Sequence, residues 1–521
     1  MGAKGISREN VDLDHEQPDR IKKPKRNKYA LACAFLASMA SVLLGYDTGV
    51  MSGAAMFIKD DLNINDIQVE ILVGSINIYA LIGSAFAGWT SDWIGRRKTI
   101  AFAGAIFFVG SVIMGFAPNY ALLTAGRVVA GIGVGYALMI APVYTTEVAP
   151  TSIRGFLTSF PEIFINGGVL LGYVSNFAFA DLSLQLSWRM MLGVGVVPSV
   201  FLIVGGLVMP ESPRWLIMQG KLGAAMKVLL KTSDSPDEAQ LRLSEIKLSA
   251  GIPNDTDGEI VSVPKRHDGE GVWKELILHP TPAIRRILIV AIGMHFFQQA
   301  SGIDAVVLYS PRVFRQAGIK KKNHLLGATI AVGASKTFSV LIATFLLDRM
   351  GRRPLLFISL GGMIISVCGL GFGLTMIAHT DEKLEWAITL CIVTILLYVA
   401  FFEVGLGPIA WVYTSEIFPL RLRATGVSIG VAVNRLMSGV NGMTFISLYK
   451  AITVGGAFFL FAGICFLAFL FIFFFLPETN GRTLEEVSDL FAKKTTTLLL
   501  SQHAAAGEAN RPVEPANGNS R

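Results

Sequence analysis

GWTSDWIGRRKT occupies residues 88–99, and LLDRMGRRPLL occupies residues 346–356. Asp92, Gly95, Arg96 and Arg97 of the first stretch match Asp348, Gly351, Arg352 and Arg353 of the second, and each set lies in a short basic break between two long apolar runs. Two further pairs keep nearly the same separation. TEVAPTSIRG from Thr146 answers SEIFPLRLRA from Ser415, aligning Glu147 with Glu416 and Arg154 with Arg423, and PESPRWL from Pro210 answers PETNGRTLEE from Pro477. Chance matches would not hold a common offset, so the second half reads as a slightly stretched copy of the first. Two such halves, related by an axis along the membrane normal, imply an architecture that rocks about a site at the bilayer midplane.

Composition agrees with a membrane setting. Of 521 residues, 52% are hydrophobic and only 16% charged, with a mean hydropathy of +0.55. Soluble proteins carry about 25% charged residues, so this chain has too few to cover a wet surface. The formal charge of +7 arises from short basic runs between apolar stretches, a placement that fits membrane topology and not nucleic-acid binding. Cys33, Cys368, Cys391 and Cys465 each fall inside an apolar stretch without metal-ligand spacing and read as buried free thiols. No Ser/His/Asp set, metal cluster or phosphate-cradling loop is present, and the His residues are scattered, with His295 the main one inside a helix. An enzyme is therefore not expected, nor a cofactor.

About twelve stretches of roughly 20 apolar residues are long enough to cross a bilayer. They lie near 29–51, 70–91, 99–117, 121–143, 159–180, 189–209, 284–309, 324–347, 354–378, 387–412, 425–447 and 454–476. The expected fold class is an all-α membrane protein of two six-helix halves, 29–209 and 284–476, joined by a linker, 210–283, with tails 1–28 and 477–521. Helical pieces are expected at 221–232 and 236–249 of the linker, and a Gly/Asp/Pro-rich loop at 251–271. Basic residues before the first span, the two Gly-Arg-Arg breaks, Arg154, Arg421 and Arg423 place the linker and both termini in the cytoplasm. Arg312, Arg315 and Lys320-Lys321-Lys322 fall outside and run against that rule. Asn254-Asp255-Thr256 is a glycosylation sequon that would go unused in the cytoplasm, and Ile6 removes a myristoylation signal from Gly2.

These residues resemble the sugar porter family of the major facilitator superfamily, over nearly all of 29–490. The resemblance rests on the paired Asp-x-x-Gly-Arg-Arg loops, GRVVAGIGVGYALMIAPVYTTEVAP from Gly126, PESPRWL, QQASGID from Gln298, GPIAWVYTSEIFP from Gly407 and PETNGRTLEE. Within the family the chain looks most like the plant polyol/monosaccharide transporters. The resemblance implies a proton-coupled symporter that imports polyols and related monosaccharides by alternating access. It further implies a multi-pass monomer of the plasma membrane, whose partners are the substrate, a proton and the bilayer, with no nucleic acid. A facilitative uniporter and a non-transporting sugar receptor are the alternatives.

Asp47, in GYDTG, lies deep in the first apolar stretch. A charge at the bilayer centre costs about 2.5–3.5 kcal/mol on insertion scales, so it needs a partner, and Arg127 in the fourth stretch is the natural one. Arginine stays protonated and holds the carboxylate ionised; once the two separate, desolvation favours proton uptake. The pair reads either as a proton switch or as a static brace between helices. In the family an aspartate here resembles that of the proton-coupled members.

A polyol offers hydroxyls, so its site needs polar donors and acceptors and an apolar face for C–H edges. Gln298, Gln299, Trp411 and Asn434 match the family's sugar-binding positions. Adjacent glutamines point about 100° apart on a helix, so both line a cavity only if it wraps that helix. Ser301-Gly302 offers a break that would turn Asp304 inward. Glu162, Asp304, Lys336 and Arg435 stand where hexose transporters usually carry uncharged residues, so the hexose pattern does not carry over unchanged. Such charges need partners, for example Lys336 with Asp304 or Glu162. They read either as a ring that grips a flexible linear polyol or as a structural network behind the site. Asp92, Arg96, Glu147, Arg154, Glu211 and Arg214, with Asp348, Arg352, Glu416, Arg423 and Glu478 in the other half, are identified through the family as gating charges on the cytoplasmic side.

Overall fold

The computed structural model describes residues 27–150, 153–253, 258–261, 274–278, 280–380, 384–419 and 422–479. Gly2 and the tails, the 254–256 sequon, most of the 251–271 loop, Arg421 and the GRTLEE motif lie outside these residues, as do the side chains of Arg154 and Asp348.

Twelve spans follow one another. The first half comprises Lys28–Leu62, Asp66–Ile94, Arg96–Gly115, Tyr120–Val148, Phe160–Ala178, and a sixth span broken into Leu184–Gly193 and Val196–Val208. The second half comprises Pro282–Ala300 continued by Ile303–Gln316, then Lys322–Met350, Arg352–His379, Glu385–Val404 continued by Leu406–Ile417, Arg423–Ile452 and Val454–Phe475. Eleven of them are long and apolar enough to cross a membrane by length and composition alone. The remaining one, Arg423–Ile452, is 30 residues long but carries Asn434, Arg435, Ser438 and Asn441 along its length.

The helices overrun the apolar stretches at their ends. The first span continues to Leu62, not to 51, because its last turns are buried against the rest of the bundle, with Met56, Phe57 and Ile58 in the core. Asn63 then ends it in the left-handed conformation. The second span opens on a capping box in which Asn65 Oδ1 accepts from the Gln68 amide at 2.8 Å and the Asn65 amide donates to Gln68 Oε1 at 3.0 Å.

Without a hydrophobic force between helices in lipid, close approach depends on small residues. Spans one and five meet through Gly45, Gly49, Gly168 and Gly172; a Cβ on Gly45 would lie 1.9 Å from the Ile165 carbonyl oxygen. Spans two and eleven, from opposite halves, meet at Gly74 and Gly442, where a Cβ on Gly442 would lie 2.9 Å from the Gly74 Cα. Spans five and eight form a second junction between halves, where the Thr337 hydroxyl donates to the Asn166 carbonyl at 3.1 Å.

The linker helices Leu222–Thr232 and Pro236–Ser249 match expectation, and a shorter helix, Pro213–Met218, precedes them, started by Ser212 as cap and Pro213 in the first turn. They dock on one end of the bundle. Asn27 donates to the Lys231 and Ser233 carbonyls, Trp215 Nε1 donates to the Asp92 carbonyl at 2.9 Å, and Arg242 donates to the Glu147 carbonyl at 3.2 Å.

Substituting Gly45 with Leu forces spans one and five apart. Overpacking of this kind costs about 1–3 kcal/mol or more. The purified Gly45→Leu protein is expected to melt at lower temperature in detergent than the wild type, read by tryptophan fluorescence, while Gly167→Ala, with nothing within 4 Å of its added Cβ, is expected to melt with the wild type.

Candidate substrate cavity and coupling pair

Asp47 and Arg127 meet in the interior of the first half. Arg127 Nη1 donates to both carboxylate oxygens, at 2.6 and 2.7 Å, and the two side chains are 2% and 0% exposed. Arg127 also donates from Nε to the Leu72 carbonyl at 3.0 Å and from Nη2 to that of Val73 at 3.4 Å. One guanidinium thus joins spans one, two and four. Leu44 and Thr48, close to Asp47 on the first span, line a central cavity of about 70 Å³ between the halves.

Glu162, Gln298, Gln299, Asp304, Lys336, Trp411 and Arg435 all line that cavity, as do Asn77, Ser438 and Phe402. The break in the seventh span brings Gln298, Gln299 and Asp304 to the cavity. Gly302 takes φ +90°, which any side chain would resist. The Ser301 carbonyl freed there accepts from Tyr398 Oη at 2.9 Å. Both glutamines reach the cavity, one held by the Gly407 carbonyl, which accepts from Gln298 Nε2 at 2.7 Å. Trp411 packs edge-on against His295, ring centroids 5.0 Å apart. It supplies the flat apolar face.

Asn434 stands behind this wall, fully buried and absent from the cavity lining. Its Nδ2 donates to Gln298 Oε1 at 2.6 Å, and its Oδ1 accepts from Gln299 Nε2 at 3.3 Å and from Arg435 Nη2 at 2.5 Å. It bonds both glutamines from behind, and where the resemblance sets it among the substrate-binding residues the structure places it outside the cavity lining.

The expected ion pairs are also corrected. Lys336 pairs with Glu403 at 2.8 Å, not with Asp304 or Glu162, and it donates to Asn166 Oδ1 at 2.7 Å, while Asn166 Nδ2 donates to Glu403 Oε2 at 3.0 Å. The three side chains close a ring across both halves. Asp304 accepts from the Ser438 hydroxyl, and Arg435 reaches across to Asn77 Oδ1 at 3.3 Å. Glu162 has no hydrogen-bond or ion-pair partner among the described residues, which leaves its carboxylate facing the cavity.

The linker end carries two matching sets. In the first half, Arg96 bonds Glu147 at 3.1 Å and Asp92 at 2.8 Å, the Arg96 and Arg97 amides donate to Glu211 Oε1, and Ser212 Oγ donates to Glu147 at 2.5 Å. In the second, Arg352 bonds Glu416 at 2.7 Å, the Arg352 and Arg353 amides donate to Glu478, and Thr479 Oγ1 donates to Glu416 at 2.8 Å. Tyr144 and Tyr413 repeat the pattern, donating to the Pro210 and Pro477 carbonyls at 2.8 and 2.9 Å. These ion pairs join helices within one half. Arg423 donates to the Phe418 carbonyl at 3.4 Å. Arg214 is exposed with no partner among the described residues, so the structure does not bring it into the set.

A family model described as "Sugar (and other) transporter" matches residues 33–491. The chain belongs to the sugar porter family. Polyol transporter 5 of Arabidopsis thaliana is 62% identical over 472 residues, covering 90% of this chain and 88% of the relative, and the glucose transporter GlcP of Staphylococcus epidermidis is 35% identical over 471 residues, covering 90% and 99%. Among solved structures, the proton:xylose symporter XylE bound to 6-bromo-6-deoxy-D-glucose is 28% identical with a TM-score of 0.73, covering 90% of this chain and all of that one. The relatives are transporters, not enzymes. This sugar porter is accordingly a multi-pass membrane transporter of two six-helix halves.

Sequence reasoning missed Glu403, Asn166, Asn77 and Ser438. Glu403 had a readable signal, since it is a lone carboxylate inside the apolar tenth span, where an acid needs a partner. Asn77, Asn166 and Ser438 are neutral and carry no such mark.

Breaking a buried ion pair from one side leaves an uncompensated charge and costs about 3–5 kcal/mol, whereas replacing both partners is close to neutral. Lys336→Met alone is expected to lower the detergent melting temperature, and Lys336→Met with Glu403→Gln is expected to recover most of the loss. Equal melting of single and double variants would show that the two side chains do not pair in solution.

Proposed function

We propose that this sugar porter is a proton-coupled symporter that imports polyols and related monosaccharides by alternating access. The observation that carries the reading is the buried Asp47–Arg127 pair beside the cavity. While Asp47 is ionised, Arg127 ties the first span to spans two and four. A proton on Asp47 removes the charge that Arg127 pairs with. Arg127 then keeps its two carbonyl partners on the second span, Leu72 and Val73, and the first span is released. That span carries Leu44 and Thr48 into the cavity, so proton uptake and cavity shape are coupled through one helix.

The cavity chemistry suits a polyhydroxylated substrate. Gln298 and Gln299 offer donors and acceptors, Asp304 and Glu162 accept hydroxyl hydrogens, Lys336 and Arg435 donate, and Trp411 covers C–H edges. An open-chain polyol presents hydroxyls on all sides, and charged groups lie on both halves to meet them. The names of the relatives support the substrate class: several are polyol transporters, and the solved neighbour is a proton:xylose symporter. The two charge sets at the linker end act as gates on the cytoplasmic side in this reading, with both termini cytoplasmic and the plasma membrane as location.

A membrane potential of 100 mV supplies about 2.3 kcal/mol per charge, or roughly 50-fold accumulation for one proton per substrate. In cells expressing the protein, sorbitol, mannitol, inositol or glucose is expected to evoke inward current that grows as external pH falls, because the proton is a co-substrate. An uncoupler abolishes accumulation for a symporter and leaves downhill influx for a uniporter. Asp47→Asn is expected to remove pH-dependent accumulation; a variant that still concentrated substrate normally would sink coupling through this residue.

A further inference from the structure

The basic run from Arg312 to Lys322 lies at the end of the bundle opposite the linker helices. There Asp66, the first residue of the second span, accepts from Lys59 at 2.6 Å, from Arg312 at 3.2 Å and from Lys450. Lys59 belongs to the same half, whereas Arg312 and Lys450 come from spans seven and eleven of the other. One turn further in, the Glu70 carboxylate accepts from the Ser447 amide at 2.7 Å and the Ser447 hydroxyl at 2.6 Å. The next turn brings Gly74 against Gly442, and the following one brings Asn77 to Arg435 at the cavity. Residues 66, 70, 74 and 77 share one face of the second span, so the contacts form a continuous row from the mouth to the cavity.

We propose that this row is the outer gate of the transporter and that Asp66 is its latch. The inference rests on the alternating-access reading and adds a residue set to the end opposite the matched linker-end charges. Its energetics suit a part that opens once per cycle. At the mouth Lys450 is 56% and Lys59 37% exposed, so those two pairs with Asp66 are screened by salt, while Arg312 at 14% is the more sheltered partner. Deeper in, Glu70 is only 1% exposed. Its carboxylate leaves Ser447 only when water can replace that serine, so the inner contact parts after the outer one. Above the latch lies an open vestibule of about 420 Å³, lined by Lys59, Asp60, Arg312, Arg315 and Lys450 among others. The charge exception in the sequence thereby acquires a cause: Arg312 is retained on this side because Asp66 needs cations from the opposite half.

The test reads access to the cavity. Thr48→Cys places a thiol on the cavity wall, and a membrane-impermeant maleimide is applied to intact cells, with the protein lacking that substitution as blank. Adding Asp66→Asn is expected to raise the labelling rate about three- to tenfold, and Glu70→Gln is expected to raise it too. Asp66→Glu, which keeps the carboxylate, is expected to stay near the parent rate. Raising ionic strength from 0.1 M to 1 M shortens the screening length from about 10 Å to about 3 Å. Labelling of the parent is therefore expected to rise with salt and that of Asp66→Asn to stay flat. Unchanged labelling in Asp66→Asn, in a protein whose parent labelling responds to added sorbitol, overturns the gate and leaves alternating access standing. Parent labelling that responds to no substrate overturns both. Where Asp66→Asn does not reach the membrane, the salt response of the parent decides alone: a rise supports the latch and a flat response rejects it.

Discussion

Arg127 has no exposed surface, and the first half is organised around it. Its guanidinium satisfies one carboxylate and two backbone carbonyls on two different spans while its own helix supplies a third. A permanent cation in a dry interior must be neutralised, and among its contacts only Asp47 is an anion. Spans one, two and four are therefore held together by a single electrostatic requirement. The glycines of spans one and five make the packing around it possible, because Gly45 and Gly49 let the fifth span lie against the helix that carries Asp47. The fifth span also carries Glu162 to the cavity and Asn166 to the Lys336–Glu403 ring, so the same close approach positions the helix of Asp47 and part of the cavity wall.

The matched sets at the linker end show what duplication preserves. Glutamates 211 and 478 each cap the start of the helix that follows a glycine with positive φ, Gly95 at +96° and Gly351 at +85°. A Cβ on Gly95 would lie 2.3 Å from the Glu211 carboxylate. The glycine, the carboxylate and the two amides thus form one unit, in which a negative group neutralises the positive end of a helix dipole. Each copy braces the joint between two spans of its own half. On the proposed mechanism such units hold the spans of each half together at the gating end while the halves move.

The helices, their approximate positions, the duplication and the Asp47–Arg127 pair were legible in the sequence because each has a one-dimensional mark: an apolar run, a repeated motif, or two isolated opposite charges in one half. The ends were less legible. Lys59 to Leu62 is helical although polar, since hydropathy registers the hydrocarbon zone and not the helix beyond it. Pairing in the cavity was not legible. Lys336 had Asp304 and Glu162 as acidic candidates, and its partner Glu403 lies on a neighbouring helix whose rotation no local pattern encodes. Asn434 was placed on the cavity by resemblance, yet the rotation of the eleventh span turns Arg435 into the cavity and Asn434 behind it.

That rotation has a consequence for how the cavity feels the position of the halves. Arg435 is bonded on one side to Asn77 of the opposite half and on the other to Asn434, which holds both Gln298 and Gln299. Asn166 plays the same part at the other junction, reaching Lys336 and Glu403 from the first half. On the proposed mechanism, parting of the halves takes Asn77 from Arg435 and Asn166 from Lys336, which keeps Glu403, and each cation then presents a donor to the cavity. Substrate hydroxyls that take the place of these amides satisfy those donors in the parted arrangement, whereas the empty closed cavity keeps its own hydrogen bonds, so in this reading substrate binding favours parting. A substrate with many hydroxyls and no fixed ring can meet both donors at once. On that reading, the cations that set this chain apart from hexose-type sites are the groups through which substrate binding and the movement of the halves share one set of hydrogen bonds.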